Sequence, residues 1–273
     1  MLLLLLKVVV TILIVSALSI IAERVSPRAA GILAGYPLGS AISLFFIGVE
    51  QSAEFAGQSA IFNVAGLAAL LSFFYIYYHV SIRAQRLVIP LSAAAALGGF
   101  LAVAGLLYLL RLPPIGCVLA GGGAIFAFGT LFRRIPNASI ANRVRLGPRV
   151  MLFRGALAAL VILLITGAAN IVPPSWAGLF SAFPATVFPL LLILHTTYGA
   201  RQAHTVIRNL PTGLWALVSY SLTISLAYPR LGILWGTLLG FGVATTYLLA
   251  LALAGGHWRK PVRSGEVFAR KKI

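Results

Sequence analysis

Apolar residues fill nine long runs along this chain, separated by short clusters of polar and charged positions. A helix that crosses a bilayer needs about 20 mostly apolar residues. The runs predict membrane-spanning helices at 2–22, 30–49, 59–80, 88–110, 115–132, 150–171, 176–197, 212–229 and 232–254. The first run carries Lys7 inside it, lacks a basic leader and ends on a poor cleavage site, Ile20-Ile21-Ala22, so it reads as a retained helix. The fifth run is short and contains Gly121, Gly122 and Gly123, which leaves open whether it crosses fully.

Composition fits this picture. Hydrophobic residues make up 60% of the 273 positions and charged residues only 9%, far below the roughly 25% charged residues of soluble domains. Disorder is excluded by the same numbers. The net charge of +17 would point to nucleic acid in a soluble protein, but here its placement serves topology. With nine spans, 18 of the 21 basic residues fall on one face, leaving Lys7, Arg111 and Arg230 on the other. The positive-inside rule makes the rich face cytoplasmic, with the N-terminus outside and the C-terminus inside, in a bacterial inner membrane. The basic residues also suit anionic lipid headgroups. Trp176, Trp215, Trp235 and Trp258 fall at predicted span ends. The aromatic cluster Phe73, Phe74, Tyr75, Tyr77 and Tyr78 reads as part of an interfacial belt, or else as pocket lining. The single cysteine, Cys117, excludes an internal disulfide framework and a multi-cysteine metal cage.

The chain also resembles itself. Residues 30–37, AGILAGYP, recur as AGLFSAFP at 177–184, an offset of 147. The same offset pairs Pro27 with Pro174, Leu44 with Leu191, Ala53 with Ala200 and Gly66-Leu67 with Gly213-Leu214. It also pairs Ala69-Leu70 with Ala216-Leu217 and Ser72 with Ser219. Spans 1–4 map onto spans 6–9, so the second copy enters the membrane in the opposite sense. Equivalent connections carry opposite charge signatures: Glu50 and Glu54 in the first copy, Arg201 and Arg208 in the second. The expected organisation is an all-α membrane protein of two inverted four-helix repeats. Repeat 1 covers 1–110, a linker helix and basic loop 111–149, repeat 2 150–256, and a basic tail 257–273.

Inverted repeats with interrupted helices at matching places point to a transporter whose site lies near the midplane. The interruptions are Gly35-Tyr36-Pro37 and Ser181-Ala182-Phe183-Pro184, with Pro189 a second expected break. Gln58 and Asn63 are costly in lipid and are expected to face inward. Tyr198 and Arg201, with Ser219 and Thr223 on one face of span 8, complete the expected substrate-lining set. Glu50 and Glu54, four apart and so on one face if they share a helix, are candidates for ion coupling together with His195. Inward folding of both copies would bring Glu54 towards Arg201. His195 and His204 are nine apart, which is not a helical metal pair, and neither a metal nor a cofactor is expected.

The small-Gly-x-x-x-small-aromatic-Pro pattern at 30–37, followed by an apolar run, Glu50-Gln51-Ser52 and Glu54, resembles the GlpM-like small inner-membrane proteins. These are half-size, with about four spans. The resemblance is strongest over 27–60 and implies a fold in which two such units are fused in opposite orientations. The second copy carries Thr197, Tyr198 and Gly199 where the first has Glu-Gln-Ser.

The expected function is secondary-active transport of a small polar or anionic organic solute by alternating access. Alternatives are a lipid or lipid-linked-sugar translocator and a non-transporting assembly subunit. No nucleotide-binding loop and no recognisable nucleophile–base spacing is present, so an enzyme is not expected. Expected partners are membrane lipids and the solute, with a homodimer as a further option and no nucleic acid.

Overall fold

The computed structural model describes residues 4–13, 32–138 and 147–255, and every regular element in them is helical. The sequence readings that rest on Glu23, Arg24, Pro27, Arg28, Arg143, Arg145, Trp258 and the basic tail lie outside the described residues.

The helices are α1 (Leu4–Leu13), α2 (Leu38–Glu50), α3 (Ala53–Arg83), α4 (Val88–Leu109) and α5 (Pro114–Phe132). They continue as α6 (Pro148–Ala168), α7 (Pro174–Ser181), α8 (Val187–Tyr198) and α9 (Ala200–Gly255). Five apolar helical stretches are long enough to cross a membrane: Ile32–Glu50, Ala53–Arg83, Val88–Leu109, Pro114–Phe132 and Ala200–Leu253. The last of these is broken by Gly232, whose φ of 76° lies in the left-handed region that favours glycine. Its two arms fold back on each other. Tyr228 Oη meets Thr237 Oγ1 at 2.8 Å, and Tyr247 Oη donates to the Thr212 carbonyl at 3.2 Å. With this hairpin and the shorter apolar helices, all nine expected spans contain helix among the described residues.

Local chemistry explains the boundaries. Pro114, Pro148 and Pro174 open α5, α6 and α7 at the first helical position, where the missing N–H costs nothing. Ser52 caps α3, its Oγ accepting from Phe55 N at 3.1 Å. That cap separates Glu50 from Glu54. The two acids end one helix and begin the next, so they do not share a helical face as expected from their spacing. Pro189 makes no second break: it sits in the first turn of α8, where a helix tolerates proline.

Helix α3 forms the centre, packed by α4, α5, α7 and the first arm of α9. Glycines make the closest approaches. Gly121 sets α5 directly against the Val64 carbonyl, and Gly178 sets α7 against the Ser59 carbonyl. Of the glycines that weakened the fifth run as a span, Gly121 therefore serves its packing, while a Cβ on Gly123 would meet nothing within 4 Å. Phe73, Phe74 and Tyr77 are wholly buried. The Phe73 ring meets Phe74, Phe183 and Phe188 edge-on, so these aromatics are core and not an interfacial belt. Outward-facing apolar side chains coat the periphery, among them Leu101, Leu119, Phe126, Leu234 and Leu238. An apolar coat of this kind suits hydrocarbon as its solvent.

The first arm of α9 runs antiparallel to α3. Gly57 lies beside Pro229, Asn63 bonds Ser221, and Ser81 bonds His204. At about 1.5 Å per residue this places Glu54 and Arg201 at opposite ends of the bundle, about 40 Å apart. The two do not approach each other as the sequence suggested.

Candidate functional site

Two helix breaks meet near the middle of the bundle. The first runs from Gly35 to Pro37, before α2. The second runs from Ala182 to Thr186, between α7 and α8. Both are built by the same hydrogen bonds. Gly35 N donates to Ile32 O, Tyr36 N to Leu33 O, Leu38 N to Tyr36 O and Ala41 N to Pro37 O. Ala182 N donates to Leu179 O, Phe183 N to Phe180 O, Ala185 N to Phe183 O and Phe188 N to Pro184 O. Each bond of the second set lies 147 residues after its counterpart. In each break the proline ends the preceding turn by removing an N–H, and the next helix restarts one residue after Pro37 and three after Pro184.

Between the breaks lies a small cavity of about 20 Å³, room for about one water. Its walls include Tyr36 and Phe183, Pro37 and Pro184, Gly39 and Thr186, Ser40 and Val187, and Leu70 and Leu217. The two members of every one of these pairs are 147 positions apart. Gly39 and Thr186 also touch: a Cβ built on Gly39 would lie 3.4 Å from the Thr186 side chain.

Polar groups hold the surrounding frame. Asn63 Nδ2 donates to Ser181 Oγ at 2.8 Å, and Ser221 Oγ donates to Asn63 Oδ1 at 2.9 Å. Ser181 Oγ donates in turn to the Gly178 carbonyl, and Ser40 Oγ to the Ser181 carbonyl. Asn63, Ser181 and Ser221 are fully buried, and the network ties α2, α3, α7 and α9 together at the second break. A buried amide bonded on both its oxygen and its nitrogen avoids the cost of an orphaned polar group.

The expected site residues divide into three sets. Gly35, Tyr36, Pro37, Phe183 and Pro184 gather at the breaks, and Asn63 and Ser181 in the network beside them. Gln58 is exposed on α3 and stays away from the cavity, so it does not line the site as expected. Ser219 and Thr223 bond carbonyls of their own helix, at Ala216 and Ser219, so the expected lining face of span 8 is the wrong one. The face that points inward carries Ser221. Tyr198 and Arg201 lie at the far ends of α8 and α9, also remote from the cavity. Ser40 and Thr186 are lining residues that sequence reasoning missed, although Thr186 lies 147 positions after Gly39, two residues past a proline.

The coupling candidates occupy both ends of the bundle. Glu50 pairs with Lys7 at 2.6 Å, and Lys7 Nζ also donates to Thr166 Oγ1 at 2.7 Å. Lys7 is only 4% exposed, buried among α1, α2 and α6. Glu54 is exposed in the first turn of α3, where a carboxylate complements the helix dipole. At the other end, His195 Nδ1 meets Tyr77 Oη at 2.8 Å, and His204 Nε2 meets Ser81 Oγ at 2.7 Å. The two imidazole rings are 6.3 Å apart. Tyr77 lies two turns beyond Leu70 on α3, and His195 about two turns beyond Val187 on α8. This layer therefore sits about 10 Å from the cavity along both helices. Arg208 donates to the Ile135 carbonyl and Thr205 Oγ1 accepts from Ala138 N, tying the segment after α5 to α9. Among the described residues, no group of three or more His, Cys, Asp or Glu side chains converges as metal ligands would.

No family model, curated protein or solved structure matches the chain.

Proposed function

We propose that the protein is a secondary-active membrane transporter built of two inverted repeats, carrying a small polar or anionic solute through the cavity between its two helix breaks. The observation that carries this reading is the junction itself: two interrupted apolar helices meet at one small cavity, lined by residues paired at the repeat offset. Interrupted helices at corresponding places in two halves are the feature by which transporters present main-chain polar groups to a solute.

Reciprocal contacts support the inverted relationship. Gly213 packs on the Ile32 carbonyl, and a Cβ built on Gly66 would lie 3.1 Å from the Leu179 carbonyl oxygen. Residue 213 is 66 + 147, and residue 179 is 32 + 147. Such an exchange of partners is what a two-fold relationship between the halves produces. It would let the halves swap conformations, opening the cavity to one side and then the other. The small cavity volume then belongs to a closed state, with the Tyr77–His195 layer on one side and the Lys7–Glu50 end on the other. The basic bundle end near Arg83 and Arg201 is the cytoplasmic one in this reading.

The test is solute uptake by reconstituted proteoliposomes, after a thermal-shift screen of organic acids, amino acids, sugars, nucleosides and lipid headgroups at two pH values. Saturable uptake of a stabilising solute supports the reading. Headgroup stabilisation together with lipid flip-flop would favour a lipid translocator instead. Absence of both, with a stoichiometric protein partner in native membranes, would favour an assembly subunit.

A further inference from the structure

The two half-helices that leave the cavity do so by their N-termini. Helix α2 starts at Leu38 and runs to Glu50; helix α8 starts at Val187 and runs past His195. Each therefore directs the positive end of its dipole at the same small space, about half a unit charge apiece. On the carbonyl side of the breaks, Ile32, Leu33, Tyr36, Leu179, Phe180 and Phe183 each accept from a backbone N–H, and the Ser181 carbonyl accepts from Ser40 Oγ. Three carbonyls at the breaks, those of Ala34, Gly35 and Ala182, accept from no backbone N–H among the described residues. On the other side, the N–H groups of Gly39 and Ser40, and of Thr186 and Val187, have no backbone acceptor among the described residues.

Thr186 supplies a second, independent sign. It occupies the N-cap position of α8, yet its hydroxyl makes no capping bond. The side chain is 6% exposed and lines the cavity, without a hydrogen-bond partner among the described residues. A hydroxyl without a partner in a cavity wall is free to donate to a guest there. No charged side chain lines the cavity.

From this geometry we infer that the cavity binds a small monovalent anion, held by the N-terminal turns of α2 and α8 and by the Thr186 hydroxyl. The inference rests on the transporter reading only for what becomes of the ion after binding. Open N–H donors at two positive helix ends favour an anion. Two dipole ends of about +0.5 each balance about one negative charge, and no lysine or arginine is present for a second. A cavity with room for about one water excludes large organic anions from this closed state.

The experiment compares sodium chloride, nitrate and formate with sodium sulfate and gluconate, at constant ionic strength, on the purified wild-type protein, Thr186→Val and Thr186→Ser. Melting temperature reports binding, and proteoliposome flux of the same anions reports transport. The expected result is saturable stabilisation by one or more monovalent anions, weakened about tenfold in Thr186→Val and largely retained in Thr186→Ser. Equal stabilisation of wild type and Thr186→Val overturns the assigned site. Stabilisation and uptake of an organic solute, with no monovalent-anion effect, overturns the inference and leaves the transporter reading standing. Thr186-dependent anion binding with no flux of any tested ion or solute keeps the inference and overturns the transporter reading. Neither binding nor flux overturns both.

Discussion

Gly213 rests against the carbonyl oxygen of Ile32, so closely that no side chain fits between the first arm of α9 and the turn before the first break. Gly35 completes the contact from the other side, its missing Cβ facing the main chain at Gly213 and Leu214. Two segments far apart in sequence thus meet backbone to backbone, which fixes the wall of the cavity at Leu214 and Leu217.

Replacing Gly213 by Ala should therefore be costly. The new methyl meets main chain, which cannot turn aside as a flexible side chain would. Destabilisation of about 1–3 kcal/mol or outright misassembly is expected, read as a lower melting temperature or loss of a monodisperse peak in detergent. Gly105→Ala is the control, because a Cβ there meets nothing within 4 Å. Equal behaviour of the two variants would show that the close contact does not form.

The Lys7–Glu50 pair makes a different prediction. Breaking a buried ion pair from one side leaves a stranded charge, whereas removing both charges relieves it. Lys7→Met or Glu50→Gln alone should destabilise by about 3–5 kcal/mol, and the double variant should recover much of that loss. Additive losses in the double-variant cycle would mean that the two side chains do not interact.

Asn63 joins three helices through its amide. Asn63→Leu strands the Ser221 hydroxyl and removes the donor to Ser181, at an expected cost of about 1–3 kcal/mol. Ser221→Ala should cost less, because it removes only one partner. Thermal unfolding of the two variants checks the order, and the reverse order would overturn this account of the network.

Disulfide trapping tests the bundle geometry directly. In a Cys117→Ser background, Gly39→Cys with Thr186→Cys should cross-link readily, and reduction should restore any transport that the bond blocks. Glu54→Cys with Arg201→Cys should not cross-link within one chain, because antiparallel packing holds them about 40 Å apart. A strong Glu54–Arg201 cross-link within a single chain would contradict the pairing of α3 with α9.

Tyr77→Phe keeps the buried ring and removes only the bond to His195. Stability should fall by about 1 kcal/mol. If the His195–His204 layer closes one side of the cavity, uptake by this variant between pH 5.5 and 8 should lose the pH profile of the wild type. An unchanged profile would assign Tyr77 to packing alone.

The apolar runs by themselves determined where helices form, because a segment that must satisfy its own backbone in hydrocarbon has few other options. The prolines and small residues likewise marked both helix breaks, since a missing N–H acts locally whatever packs around it. The offset of 147 also named residues that meet around the cavity, such as Tyr36 with Phe183 and Pro37 with Pro184. Tertiary structure decided the rest. Which face of span 8 turns inward depended on its crossing with α3, and so Ser221, not Ser219, reaches Asn63. Lys7 found Glu50 only because α1 packs beside α2, a contact between segments whose spacing carries no local signal. Glu54 and Arg201 were separated by the antiparallel run of two long helices, and Gln58 was left on an exposed face of one of them. Propensity and hydropathy act over a few residues, while the choice of face and partner comes from side chains competing for space across the whole bundle.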